Sequence, residues 1–452
     1  MCPLIIIHGW SDEDQSFLPL ARALEQRTGR PVESLWLGNY VSLDDDILMS
    51  DLVAGLSRAW RKAKLPETPG SVDVIVHSTG GLVIRDWMAT RYSERKRKPP
   101  VRNLVMLAPA NTGSPLAHKG RAFYGRVMKG FSSRKRFHTG TQILKALEMA
   151  SPYSTGLAVR DRFMQSPFRP GGVRATTIVG NTGYSGISSL ANEDGSDGTV
   201  YVATANPDCA RLTINFPANM GKAKASAIQS AKGGETAFLV LDDHNHSTVA
   251  LKEATHPGNE ELLADITRAL EIPNAGEYRD WVADCRQRTA AVMEKHAGKR
   301  DTHKHGFQNT VIRLRDDQGN DVPDYVVEFY GDAASDADDL ATEFNRRVLT
   351  KVHAYKDNSA IRSFMINCTE LHRLFTAKGH SLRISLSALP DINDPKNVVG
   401  YQSFETDDID CLTLGPEKLK AMFVENRTLF VEITLARVRK DGVFGLERVD
   451  SY

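Results

Sequence analysis

The stretch Val74-Ile75-Val76-His77-Ser78-Thr79-Gly80-Gly81 decides how this chain is read. Three β-branched residues lead towards a serine, and two glycines beyond it open onto Leu82-Val83-Ile84-Arg85-Asp86-Trp87-Met88, a run that suits a helix. A buried strand that turns sharply into a helix with serine at the corner is a nucleophile elbow. The turn lifts the hydroxyl above the C-terminal edge of a sheet, and the next residue's N–H points to where an oxyanion would form. Such elbows usually carry glycine two places before and two places after the serine, because backbone passes close to backbone there. Gly80 meets that spacing and Val76 departs from it.

Upstream, Pro3-Leu4-Ile5-Ile6-Ile7 is a short apolar run bounded by His8-Gly9-Trp10, the pattern of a buried strand that ends in a loop. In that loop the backbone N–H of Trp10, together with that of Thr79, is placed to hold a developing negative charge, each such donor being worth about 3–4 kcal/mol. Downstream, Leu104-Val105-Met106-Leu107 runs into the Gly/Ser/Pro-bearing segment Pro109 to Ala117, and Ser151-Pro152-Tyr153 follows. In this order the elements resemble the lipases and esterases of the α/β-hydrolase fold. The likeness covers residues 4 to about 155, and the partner residues below extend it to about 250.

The resemblance implies a triad in chain order serine, acid, histidine. After the predicted strand Ala175 to Gly180, a polar loop carries Asp197-Gly198-Thr199-Val200, which resembles the Asp-Gly-x-Val found at the acid position of many lipases. Asp194 is the alternate acid. After the predicted strand Ala237 to Leu241 comes Asp242-Asp243-His244-Asn245-His246-Ser247-Thr248-Val249. His246 is favoured as the base because the residues after it begin a helix, and His244 stays open as its alternate. Ser78, Asp197 and His246 would then transfer an acyl group through an acyl-enzyme that water releases. The expected substrate is a lipid ester, most specifically a phospholipid. A carboxylesterase for small soluble esters and a catalytically decayed binding or scaffold protein are the alternatives. No cofactor and no catalytic metal are expected.

The 452 residues, 41% of them hydrophobic, suffice for two cores. The expected architecture is α/β: an α/β-hydrolase domain over 1–275 with a lid insertion over about 114–165, a helical and basic linker over 276–308, and a β-rich domain over 309–452. Five scattered cysteines argue against a disulfide framework. The first half of the insertion interleaves Lys119, Arg121, Arg126, Lys129 and Arg134 with Phe123, Tyr124 and Phe131, a mixture suited to transient contact with an anionic membrane surface. Its second half, Gln142 to Met149, has apolar residues at helical spacing, as an acyl pocket cover or as core.

Short alternating runs at Thr310–Arg315, Tyr325–Tyr330, Ser363–Asn367, Ser381–Ser387 and Thr428–Arg437 predict an antiparallel, sandwich-like C-terminal domain. The loops Asp316–Asp321 and Asp391–Asp394 contain enough carboxylates for calcium, although turn chemistry accounts for them equally. Histidines 296, 303 and 305 lack the partner spacing of a metal site. Only Met1, Cys2 and Pro3 precede the first strand, so a soluble, cytoplasmically made protein without a Sec signal is expected. The architecture also resembles bacterial lipase effectors exported by specialised, signal-independent secretion machines. That likeness implies an inhibitor (immunity) protein as a partner; nucleic acid is not expected as one.

Overall fold

The computed structural model describes residues 2–8, 14–35, 46–117, 140–217, 224–300, 302–331, 337–404 and 413–443. Its organising element is a six-stranded sheet of β1 (Leu4–Ile7), β2 (Val32–Leu35), β3 (Val72–His77), β4 (Val101–Leu107), β5 (Arg174–Gly180) and β6 (Ala237–Leu241). The spatial order is β2-β1-β3-β4-β5-β6, and every neighbouring pair is parallel. A sheet covered on both faces needs apolar side chains pointing both ways, which is why these strands read as continuous aliphatic runs rather than alternating ones.

The two-residue period of a strand sorts those side chains into two cores. Ile5, Ile7, Val72, Val74, Val76, Leu104 and Met106 face one way, against α2 (Met49–Lys62) and α3 (Gly80–Met88). Leu4, Ile6, Ile75, Val105 and Leu107 face the other way, against α1 (Leu18–Thr28), α4 (Asn259–Glu271) and α5 (Ala275–Ala297). β3, the strand before Ser78, lies third in the order and is buried on both faces.

Two compact units divide the chain: one comprises Met1–Ala210, Ser230–Asn309 and Glu425–Thr428, the other Arg211–Gln229, Thr310–Val424 and Leu429–Tyr452. This differs from the division expected from sequence at two places. The segment read as a linker is mostly α5, and it is built into the first unit: Trp281, Val282 and Cys285 are buried on the sheet, Trp281 Nε1 donates to Thr176 Oγ1 at 3.0 Å, and Thr289 Oγ1 donates to the Phe238 carbonyl at 3.0 Å. Sequence concealed this because α5 buries only a thin stripe of an otherwise polar helix. Conversely, the strand Ala210–Phe216 leaves the first unit's numbering to join the second unit's sheet.

Residues 118–139, the basic half of the expected lid, lie outside the described residues. The second half is core. Ile143 and Leu147 are fully buried among the side chains of the first unit, and Asp161 accepts from Arg85 of α3.

In the second unit the strands 349–354, 361–367, 307–316, 427–435 and 210–216 follow one another across one sheet, while 325–331, 382–388 and 413–414 form an antiparallel three-stranded sheet. The ring of Phe216, on the larger of these sheets, packs at a tilt against Phe404, whose backbone bridges to Leu386 of the three-stranded sheet, with ring centroids 4.4 Å apart. Asp316 is occupied by the Asn320 and Gln318 amides, and Asp321 by Arg313 and Asn358, so turn and ion-pair partners satisfy this loop. Among the described residues no group of three or more His, Cys, Asp or Glu side chains is placed to hold a metal ion, and no helix is long and apolar enough to cross a membrane. None of the four described cysteines is in a disulfide; Cys411 lies outside the described residues.

The segment after α5 supports the loop that carries Asp197. The His303 carbonyl accepts from Gly195 N–H at 2.7 Å, and the Phe307 ring lies where a side chain on Gly195 would sit, 2.4 Å from its Cβ position. Gly195 also holds φ at +76°. Gly195→Ala is therefore expected to lower stability by at least about 1–2 kcal/mol from the left-handed backbone alone, with more from the collision, read as a shift in the urea unfolding midpoint; an unchanged midpoint would refute the packing described.

Candidate active site

The elbow is built as its sequence requires. β3 ends at His77, Ser78 takes φ +53°, and α3 starts at Gly80. A left-handed serine is costly, and strain of this kind persists only where the surroundings over-determine it. They do so here: Ser78 N–H donates to the Leu107 carbonyl at 3.0 Å and the Ser78 carbonyl accepts from Gly81 N–H at 3.0 Å. The missing glycine at 76 finds its explanation in close approach. A Cβ on Gly80 would stand 3.3 Å from Val76 Cβ and from the Ile7 carbonyl oxygen, so the space a valine needs is supplied by the glycine after the serine. Behind the elbow, the buried Arg85 of α3 makes two hydrogen bonds to Asp161, at 2.7 and 2.9 Å, and a third to the Asn111 carbonyl at 3.2 Å. Burial alone would lower the Arg85 pKa, but the Asp161 carboxylate raises it.

Asp197 is fully buried at the turn after β5. Its Oδ1 accepts from the Thr199 and Val200 amides at 2.9 and 2.8 Å, and its Oδ2 accepts from His246 Nδ1 at 2.9 Å. The Asp197 carbonyl also accepts from His246 N–H at 3.0 Å. Donation from Nδ1 leaves His246 Nε2 as the bare nitrogen, an acceptor. His246 is held by its own loop: Asn245 Oδ1 accepts from the Ser247 and Thr248 amides at 2.9 and 3.0 Å, forming an Asx cap. Ser78 Oγ and His246 Nε2 are both buried and make no hydrogen bond among the described residues.

The two loops meet the elbow through His77. Its ring centroid lies 4.6 Å from that of His246, its Nε2 donates to the His246 carbonyl at 3.1 Å, and Phe17 backs it at 5.4 Å. Thr79 stands at the N-cap of α3, with its N–H at the helix's positive end. Trp10, the other oxyanion donor expected from sequence, lies outside the described residues. The alternates part from the cluster: Asp194 is exposed, and His244 stacks on His256 at 4.2 Å with its carbonyl accepting from Thr182 N–H. Burial, and secondarily the neighbouring His256, pushes the His244 pKa down to about 4.

Sequence reading missed the clamp behind the histidine loop. Asp242 accepts from Lys304 at 2.8 Å, Asn181 at 3.1 Å and His296 at 3.1 Å, and also pairs with Lys295. Burial pushes the Asp242 carboxyl up, but the hydrogen bonds from Lys295, Lys304, Asn181 and His296 overcome this and hold it well below the usual carboxylate range. The last turn of α5 and Lys304 beyond it, without a motif of their own, supply the counter-ions for a loop some 50 to 60 residues earlier.

No protein-family model matches the sequence, and no curated protein matches it either. Among solved structures, phospholipase PlaB from Legionella pneumophila superposes with a TM-score of 0.81 over 100% of this chain and 97% of that one, at 22% identity. PlaB in complex with thio-NAD gives the same figures. The chain has the α/β-hydrolase fold. The mature lipase BlEst2 from Bacillus licheniformis aligns with 58% of this chain and 91% of its own, at 14% identity and a TM-score of 0.35. In the six-stranded sheet Ser78 follows the strand that lies third in the spatial order.

Two stability measurements check this geometry. His77→Phe keeps the ring but leaves the buried His246 carbonyl without its donor, which is expected to cost about 1–3 kcal/mol in urea unfolding; a neutral result would mean that the hydrogen bond is absent. For His244, the unfolded chain takes up a proton near 6.5 and the folded chain only near 4, so the unfolded state binds more protons between these values and stability falls as pH drops through that window. His244→Gln is expected to flatten that fall, and identical pH profiles for the two proteins would refute it.

Proposed function

We propose that this protein is a serine hydrolase that cleaves carboxylic esters of lipids, acting on phospholipids, with Ser78 as nucleophile, His246 as base and Asp197 as its orienting acid. The observation that carries the reading is the Asp197–His246 hydrogen bond, made between loops after β5 and β6 and joined through His77 to a serine in a strained elbow. In the reaction, His246 Nε2 takes the Ser78 proton as Oγ attacks the ester carbonyl, and Asp197 stabilises the imidazolium while keeping Nδ1 protonated. The tetrahedral oxyanion is received by the Thr79 N–H, with Trp10 as the second donor. Collapse expels the alcohol, which leaves with the proton from His246, and a water activated by the same imidazole hydrolyses the acyl-enzyme.

Two features support this against a decayed scaffold. The Asp197 carboxylate is buried where only partners of this type make it tolerable, and Val76, the single departure from the elbow pattern, is accommodated by Gly80. The phospholipid is proposed from the fold shared with PlaB, which is described as a phospholipase.

The test is incubation of the purified protein and Ser78→Ala with mixed phospholipid vesicles and with short-chain nitrophenyl esters, the products being identified by mass spectrometry. Lysolipid and free fatty acid are expected from the wild type, with loss of at least about 10³-fold in Ser78→Ala. Turnover of the short esters alone would make the protein a carboxylesterase. Failure to hydrolyse either, together with failure to label with a fluorophosphonate, would make it a binding protein.

A further inference from the structure

Several arginines of the first unit are matched to carboxylates. Arg27 pairs with Glu260, Arg30 and Arg102 with Asp73, Arg160 with Asp86, Arg162 with Asp208 and Arg288 with Asp265. The chain has the means to do this everywhere, with 57 basic against 56 acidic residues. Among the cations without such a partner, four are gathered in one place. Lys96, Arg97, Lys98 and Arg169 line a single cleft of about 300 Å³ together with Ser93 and Gln165, and no carboxylate contributes to its lining. Among the described residues none of the four makes an ion pair. Lys98 reaches only the Gly171 carbonyl, at 3.5 Å, and Arg97 lies over the Tyr92 ring at 5.6 Å.

Four like charges around one concavity repel one another, so their gathering needs a reason. The end of the nucleophile helix supplies only a small one: Lys96–Lys98 follow α3 and its π-turn Ala89–Ser93, and a helix C-terminus offers about half a negative charge. That does not account for three cations, nor for Arg169, which arrives from the separate segment before β5. Guanidinium forks and ammonium groups converging on a polar cleft, with a serine hydroxyl and a glutamine amide beside them, match the oxygens of phosphoryl groups.

The position of the cleft separates it from the esterase site. Pro99 and Gly172 in its lining immediately precede β4 and β5, so it opens at the N-terminal edge of the sheet, whereas Ser78 follows the C-terminal end of β3. The seven residues of β4 span about 20 Å between these edges. A bilayer presenting an ester to Ser78 therefore lies at the opposite edge, which favours a ligand from solution over a lipid headgroup. We propose that the Lys96–Arg97–Lys98–Arg169 cleft binds a small soluble anion carrying two phosphoryl groups, at a site distinct from Ser78.

The test is isothermal titration of the full-length protein with inorganic pyrophosphate at about 0.1 M salt, where exposed charges beyond about 10 Å are screened. Saturable binding in the wild type is expected, weakened at least tenfold in the double variant Arg97→Ala/Arg169→Ala and unchanged in Arg286→Ala, a cation on α5 outside the cleft. A matching rise in melting temperature should appear in the wild type and be lost in the double variant. Absence of binding, or equal binding by the double variant, would overturn the proposal. So would equal affinity for sulfate, which would mark a nonspecific anion patch. Cosedimentation with vesicles rich in phosphorylated inositol lipids, without binding of pyrophosphate, would overturn it in favour of a headgroup site. None of these readouts depends on ester hydrolysis.

Discussion

A carboxylate with no exposure to solvent is expensive unless each lone pair is met, and Asp197 is such a group. Two backbone amides hold one oxygen and His246 holds the other, so the turn through Gly198 to Val200 and the loop after β6 are each constrained by the same charge. Remove the imidazole and a buried anion is left half satisfied. The geometry of the site and the stability of the loops that form it are consequently one problem, and most of the surrounding structure reads as its solution.

Three supports converge on that problem. The acid loop is propped from outside by the His303 carbonyl and the Phe307 ring. The histidine loop is tied by the cations around Asp242, which reach it from α5 and from the stretch beyond. The elbow is braced by the Arg85–Asp161 pair, whose two buried charges are tolerable only together. His77 then links elbow to histidine loop by a ring contact and a hydrogen bond to main chain, which orients His246 without competing for either of its nitrogens.

These supports come from far along the chain, and so does the first unit itself. Residues 425–428 return to it after more than a hundred residues spent in the second unit, and Thr428 Oγ1 meets Thr112 Oγ1 at 2.8 Å. The first unit is therefore completed only by segments that sequence places in a linker and in a C-terminal domain. A hydrolase-like segment cut at about residue 275 would lack α5, the Asp242 counter-ions and the props of the acid loop.

What the sequence determined by itself was everything carried by short-range pattern. Aliphatic runs at Leu4–Ile7, Val74–Val76 and Leu104–Leu107 specify buried parallel strands because both faces of each must be apolar. The elbow is legible because a serine between such a run and two glycines has few other uses. Asp197 and His246 could be singled out, with Asp194 and His244 beside them, because loops after strands are where side chains reach a shared edge. Tertiary structure alone brought Asp197 to His246 and left Asp194 exposed and His244 against His256, since burial and hydrogen-bond geometry depend on which loops meet. It alone turned a featureless basic stretch into a clamp, moved α5 into the first core and carried Ala210–Phe216 into another sheet. Those outcomes rest on partners about 50 to 220 residues apart, and long-range pairing of ordinary residues leaves no local signature for a sequence to display.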